Sequence, residues 1–428
     1  MTSSNNSDLW ARRTAAVPRG VGTIHAKFAA KASNAEIFDV EGKRYIDFGT
    51  GIAVCNTGHG DPRITEAVKA QIDNFSHVCF QVNPYESYVE LAERLNTLAP
   101  GNTPKKTIFL TTGAEAVENA VKVARVATGR PGVIAFKGGF HGRTMMGMAL
   151  TGKVAPYKAG FGPFPSDVYH VPYPIPYHGI TEQISLDALE ALFSADIEPS
   201  RVAAIILEPV QGEGGFYAAS PAFMQAIRAL CDKHGILMIC DEIQTGFART
   251  GKVFATEYSG VEPDMMTVAK ALAGGFPLSG LIGKADIMET VAPGGLGGTY
   301  GGSPLGCVAG LKVLDIIEED KLCNRAVQIG DMFRERLLSI KQSGIAAMGD
   351  IRNLGAMIAL ELVKDGDASK PDADLTRKIV AEAASEGLIL LSCGVRGNVI
   401  RFLPALTASD AVLHEGLDIL ERVIKRLV

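Results

Sequence analysis

Two charged side chains stand just past short apolar runs in the middle of the chain. Ile236–Cys240 runs into Asp241, and Met265–Val268 is followed by Lys270. Glycine comes soon after each, at Gly246 and at Gly274-Gly275. Apolar runs of this length read as buried strands. In an open α/β sheet, side chains just beyond the carboxyl ends of the strands face one shared crevice. Asp241 and Lys270 are therefore expected in the same pocket. A carboxylate and an amine beside glycine-rich backbone suit a cofactor with a basic nitrogen, an aldehyde and a phosphate, and pyridoxal phosphate carries all three. A structural ion pair is the plain alternative for these two residues alone.

Other groups fit the same chemistry, each with a bland alternative. Thr111-Thr112-Gly113-Ala114-Glu115 lies between a strand and a helix whose buried face is Val117, Ala120, Val121 and Ala124. Backbone N–H groups at such a helix start attract an anion, and glycine permits close approach; an ordinary capped helix would look the same. In Gly138-Gly139-Phe140-His141-Gly142-Arg143, Phe140 could stack on a flat ring. Arg143 could take a carboxylate bidentately. The same loop could be a solvated arginine beside a core phenylalanine, and His141 reads as a packing residue rather than an acid–base group. A carboxylate at Asp241 would keep a pyridine nitrogen protonated, with Ile243 over a ring face and Gln244 at the ring hydroxyl. A lysine at a helix start, as at Lys270, is poorly placed for a cation, unless its amine is bonded covalently or has a lowered pKa. Gly297-Gly298-Thr299-Tyr300-Gly301-Gly302 is a second glycine cluster. Glu208, Glu213 and Arg401 are charges among apolar neighbours, so pairing or ligand contact is expected of them.

The elements that must position these groups follow a repeated pattern of strand, glycine turn and helix. Thr107–Leu110, Val133–Phe136 and Val202–Leu207 join the two opening runs as near-continuous apolar strands. That pattern predicts a largely parallel sheet covered on both faces. Residues 163–179 are proline-rich and are expected to form an extended surface connection. Before the sheet, residues 1–20 read as a loosely packed arm. Glu36–Val40 and Arg44–Phe48 read as a half-exposed antiparallel hairpin, and residues 62–100 carry helical periodicity. After it, amphipathic helices are predicted over Val313–Ser339, Leu375–Glu386 and Asp410–Leu427, flanking strands at Ala356–Val363 and Val399–Leu403. The expected division is an arm and hairpin over 1–60 joining a small α+β domain at 312–428, with a large domain over 61–311.

At 428 residues, the chain is too long for one core. Charged residues make up 21% and the net charge is −5, which gives no electrostatic case for nucleic acid or an anionic membrane. The seven cysteines show no C-x-x-C spacing, so neither a metal centre nor a disulfide framework is expected. Most lie in apolar runs, which predicts buried free thiols. No apolar run nears the ~20 residues that span a bilayer, and the first residues carry no secretory pattern. The expected location is the cytoplasm.

The motifs G-I-A-V-C-N-T-G-H, T-T-G-A-E-A-V-E-N-A, G-F-H-G-R-T, E-P-V-Q-G-E-G-G-F, C-D-E-I-Q-T-G-F-A-R-T-G, A-K-A-L-A-G-G-F-P, G-G-T-Y-G-G-S-P and G-N-V-I-R-F-L-P together resemble the class III (subgroup II) aminotransferases. The similarity runs over essentially the whole chain and is strongest to the bacterial members acting on 4-aminobutyrate. It implies an α/β protein of fold type I, with a mostly parallel seven-stranded sheet in the large domain. It implies pyridoxal 5'-phosphate as cofactor and a homodimer with shared active sites, possible pairing of dimers into tetramers included. Lys270 would bind the cofactor aldehyde and carry the proton, Asp241 would face the ring nitrogen, and Gln244 the ring hydroxyl. Phe140 and Ile243 would sandwich the ring, with His141 beside them. Gly113 and Ala114 would hold the phosphate with Thr299 of the other subunit. Arg143 would hold the carboxylate distal to the amine, Arg401 the α-carboxylate of glutamate or 2-oxoglutarate, and Glu213 would neutralise Arg401 otherwise. Ile52 would line the substrate channel. The implied reaction is ping-pong transfer from 4-aminobutyrate to 2-oxoglutarate, giving succinate semialdehyde and glutamate. Alternatives are 5-aminovalerate, acetylornithine or another ω-amino acid as donor. A non-catalytic phosphate- or nucleotide-binding module is a further one, although T-T-G-A-E-A fits neither common phosphate-loop pattern. Relatives often carry serine at the position of Ala114, so one hydroxyl contact to phosphate is missing here.

Overall fold

The computed structural model describes residues 5–428. Its centre is a seven-stranded sheet in the order Lys105–Leu110, Ser279–Lys284, Met265–Val268, Leu237–Asp241, Val202–Leu207, Gly132–Phe136, Val168–Val171. Five neighbouring strands run parallel, and Ser279–Lys284 runs antiparallel to both of its neighbours. The five strands read from the sequence are all here, in a mostly parallel sheet. Two strands escaped that reading. Ser279–Lys284 contains two glycines and looks like a loop. Gly280 stands where a Cβ would lie 3.2 Å from Val268 and 3.3 Å from Phe109, so glycine serves close strand packing there. Val168–Val171 sits inside the proline-rich span expected to be a surface connection. That expectation is corrected: the span supplies the edge strand and buries Tyr173.

Helices cover both faces of the sheet. Gly113–Thr128 presents Val117, Ala120, Val121 and Ala124 to one face. Pro221–His234 and Pro304–Glu319 belong to the larger core on the other. A second sheet has the order Met348–Leu354, Met357–Leu362, Val399–Phe402, Leu391–Cys393. In a third, the hairpin of Glu36–Asp39 and Arg44–Asp47 gains Ala29–Ser33 on one side and Leu388–Ile389 on the other. The added strands leave Tyr45, Ile46 and Phe48 all buried, so the hairpin is less exposed than its alternation suggested.

Two other expectations change, and the helical reading of 62–100 holds. The N-terminal segment is helical over Asn6–Ala16, and Asn6 pins it to the hairpin by donating to Asp39 at 3.0 Å and to Glu41 at 2.8 Å. The periodicity of 62–100 belongs to two helices, Pro62–Asn74 and Glu86–Leu98. The helix expected over Val313–Ser339 is likewise two, Pro304–Glu319 and Leu322–Gln342. Between them, Lys321 takes a left-handed φ of 51° that no continuous helix accommodates. Apolar spacing resumes after that turn, so the pattern alone did not show the break. All seven cysteines are free, four of them buried. Among the described residues no helix is long and apolar enough to cross a membrane.

Candidate active site

A cavity of about 330 Å³ opens where the parallel strands end, lined by residues of six chain segments, and most of the groups singled out above meet there. Gly113 and Ala114 begin a helix capped by a reciprocal box. Thr112 accepts from the Glu115 N–H, and the Glu115 carboxylate accepts from the N–H of Thr111 at 3.0 Å and of Thr112 at 2.8 Å. Those two donors are thereby used. The N–H groups of Gly113 and Ala114 remain at the positive helix end, facing the cavity. A Cβ at Gly113 would lie 2.9 Å from the end of the Ile243 side chain, so glycine lets Ile243 pack close to the helix start.

Asp241 is the last residue of its strand and is buried. One carboxylate oxygen accepts from the Ile243 N–H at 3.1 Å and the Thr267 hydroxyl at 3.0 Å. The other receives the His141 Nδ1–H at 2.7 Å. His141 is packed, as expected, and does more than pack: it orients the carboxylate. Burial is the largest single effect and works to lower its pKa, but the hydrogen bond and charge of Asp241 together with the charge of Glu208 raise it overall. Phe140 and Ile243 flank the cavity. Gln244 leaves its Oε1 buried without a partner, which is the donor-seeking acceptor a ring hydroxyl would satisfy.

Lys270 does not start a regular helix. It has a left-handed φ of 47° and opens the short 3₁₀ turn Lys270–Ala273. Such a conformation costs a non-glycine residue about 1–3 kcal/mol and gathers at functional sites. Burial lowers the Lys270 pKa, an effect only partly opposed by Glu213, Asp241 and Glu208. The amine is therefore more readily neutral, and more nucleophilic, than a solvated lysine.

Two acids at the cavity, Glu208 buried and Glu213 half-buried, are held in different ways. Glu208 accepts from the N–H of Phe140 at 2.9 Å and of Gly212 at 2.8 Å, which ties the aromatic loop to the Gly212–Gly215 turn. Burial pushes its pKa up to about 7, with Asp241 adding to the rise. Glu213, on that turn, pairs with Arg401, which lies on Val399–Phe402 of the second sheet. Burial alone would raise the Glu213 pKa; Arg401, with the charges of Lys270 and Lys153, more than offsets it and holds it below the usual carboxylate value. Arg401 is 3% exposed, and its Nε has no acceptor.

Four expected residues stand apart from the cavity wall, Arg401 among them, since it meets the cavity only through its bond to Glu213. Arg143 is exposed, with its guanidinium carbon 4.8 Å from the centroid of the Tyr157 ring. Ile52 is 39% exposed at a left-handed φ of 70° in the turn Thr50–Ala53, while Val54 supplies the lining. Thr299 is exposed and is not among the lining residues of this chain's cavity. Sequence reasoning also missed residues that hold the site. Glu242 is fully buried and accepts from Ala255 N–H at 3.1 Å, Thr256 N–H at 2.6 Å and the Thr256 hydroxyl at 2.7 Å. Arg249 is fully buried and donates to Asn56 Oδ1, to Ala356 O at 3.1 Å and to Pro404 O at 2.8 Å. Being charged inside C-D-E-I-Q-T-G-F-A-R-T-G was the only signal either residue offered.

These residues fit pyridoxal phosphate: an amine with lowered pKa, a buried carboxylate, two free N–H groups at a helix start and an unpaired amide oxygen surround one cavity. The fold and cavity are those of a pyridoxal-phosphate-dependent aminotransferase. Residues 16–424 match the family model Aminotransferase class-III, and the chain belongs to that family. Its substrates are accordingly an amino donor and a 2-oxo acid. The chain is 54% identical over 419 residues to the 4-aminobutyrate aminotransferase of Escherichia coli, covering 98% of both chains. It is 54% identical over 425 residues to the 5-aminovalerate aminotransferase of Pseudomonas aeruginosa, covering 99% of this chain and 100% of that one. An amine transaminase from an uncultivated Pseudomonas species, solved in its PLP-bound form, superposes with a TM-score of 0.87 at 28% identity, covering 97% of each chain.

Proposed function

We propose that this enzyme moves the amino group of 4-aminobutyrate to 2-oxoglutarate, releasing succinate semialdehyde and glutamate in turn. The observation that carries the reading is the closed Glu213–Arg401 pair beside Lys270, with Arg143 farther out. A donor with one carboxylate needs Arg143 alone and leaves the pair intact. A five-carbon dicarboxylate needs both arginines and displaces Glu213. Relatives acting on 4-aminobutyrate and on 5-aminovalerate are equally similar. One methylene is worth only about 1–3 kcal/mol in a pocket, so 5-aminovalerate is the second reading and a substrate in its own right.

The roles follow from the chemistry of each group. Bound pyridoxal phosphate supplies an electron sink that stabilises negative charge on the carbon beside the nitrogen. Lys270 would hold the aldehyde, and its amine would take and return the substrate proton. Asp241, oriented by His141, would keep the ring nitrogen protonated. Phe140 and Ile243 would cover the ring, Gln244 would take the ring hydroxyl, and Gly113 and Ala114 would receive the phosphate. Ile52 borders the route of the substrate. Thr299 completes the phosphate site of a second copy, which makes the working unit a homodimer, here placed in the cytoplasm.

Borohydride reduction of the yellow holoenzyme tests the first half, with the label expected on Lys270 by peptide mapping. A panel of 4-aminobutyrate, 5-aminovalerate and N-acetylornithine, each with 2-oxoglutarate, tests the second. Turnover confined to N-acetylornithine, or a colourless protein indifferent to pyridoxal phosphate, would overturn the proposal.

A further inference from the structure

One side chain outside the roles just assigned touches both carboxylate-binding systems. Tyr157 is buried in the connection between Met145–Leu150 and Val168–Val171. Its ring lies 4.8 Å from the Arg143 guanidinium carbon and 4.9 Å, centroid to centroid, from Phe140. Its hydroxyl donates to Glu213 Oε2 at 3.4 Å, while the other oxygen of Glu213 pairs with Arg401. A single residue thus spans from the exposed arginine to the buried one.

We propose that Tyr157 is the positioning residue that couples the two arginines. Its ring carries the Arg143 guanidinium, and its hydroxyl retains the Glu213 carboxylate whenever Arg401 turns to a substrate carboxylate. This rests on the two-arginine reading above. The physical need is specific. Once Arg401 lets go, Glu213 is a poorly solvated, half-buried anion that must find another donor, because leaving it unpaired is costly. Of the two lysines whose charges act on Glu213, Lys270 is reserved for the cofactor in that reading and Lys153 is drawn to Gly394 O, to which it donates at 2.9 Å. The Tyr157 bond is long while Arg401 holds the carboxylate, and it can shorten when that hold ends. A tyrosine that merely packed against Phe140 would need neither contact.

The test measures binding of glutarate, with two carboxylates, and butanoate, with one, to the pyridoxal-phosphate-loaded enzyme by calorimetry. Tyr157→Phe keeps the ring on Arg143 and removes only the hydroxyl. At the lower end for a hydrogen bond to a charged group, glutarate should bind about 10-fold more weakly, with butanoate changed less than about 2-fold. Tyr157→Leu also removes the ring and should weaken both ligands. Equal shifts for the two ligands in Tyr157→Phe, or no shift in either, would overturn the coupling alone. A wild-type enzyme that binds glutarate no better than butanoate would overturn the two-arginine reading and the coupling with it.

Discussion

Replacing Glu213 with glutamine keeps the shape of the side chain and removes the charge that closes on Arg401. The side chains of the pair are 17% and 4% exposed, so neither charge is well solvated. With 4-aminobutyrate bound, Arg401 in the variant faces only a neutral amide. Breaking a buried pair from one side costs about 3–5 kcal/mol. Since this pair borders an open cavity, the lower end applies, about 3 kcal/mol or roughly 100-fold in kcat/KM for the monocarboxylate donor. Glutamate should gain instead, because Arg401 no longer has to be taken from a competing carboxylate. Single-turnover kinetics followed by cofactor absorbance, one donor at a time, give both values. The glutamate to 4-aminobutyrate ratio should rise by roughly 100-fold or more. A ratio unchanged within about 3-fold would refute the reasoning, whatever happened to the separate rates. The sign with pH is set by the lowered Glu213 pKa. The pair is intact above the ordinary carboxylate range and is lost only as pH falls through the depressed value. The wild-type preference should therefore be flat from neutral pH upward.

Two further outcomes follow. Ala114→Ser adds the hydroxyl missing from the phosphate end of the cavity and should tighten pyridoxal phosphate about 10-fold or more, as a hydrogen bond to a charged group would. Equilibrium titration of the cofactor-free enzyme reads this, and unchanged affinity would mean that Thr111 or Thr112 already fills that role. Glu208 has a folded-state pKa of about 7, above its ordinary value. The stability tied to its neutral form is full below the ordinary carboxylate pKa and drains as pH rises through about 7. Unfolding of cofactor-free Glu208→Gln should therefore gain on wild type between pH 5 and pH 8, and a difference that stays level with pH would contradict this assignment.

Much of the site was legible along the chain because its signals are local. Asp241 and Lys270 follow short apolar runs of strand length. T-T-G-A-E places a hydroxyl and a carboxylate at the spacing that caps a helix from both sides. The glycines announced where backbone must come close. Where local signals misled, a nearby substitute for the usual pattern was responsible. Ser279–Lys284 uses glycine for packing, and Lys321 breaks a helix without interrupting the apolar spacing.

What the chain order could not reveal is which distant groups share a bond. His141 meets Asp241 100 residues away, and Glu213 meets Arg401 188 residues away in a different sheet. Arg249 finds its acceptors at Asn56, Ala356 and Pro404, and Tyr157 finds Glu213 and Arg143 together. These pairings depend on how the sheets dock, and docking is driven by non-directional apolar burial that leaves no mark beside the polar residue it positions. The sequence alone therefore determined the reaction chemistry, since amine, carboxylate and helix start are set within a few residues of each strand end. Tertiary structure decided how the carboxylate sites are wired to one another, because a buried charge is defined by whichever partner the fold brings to it.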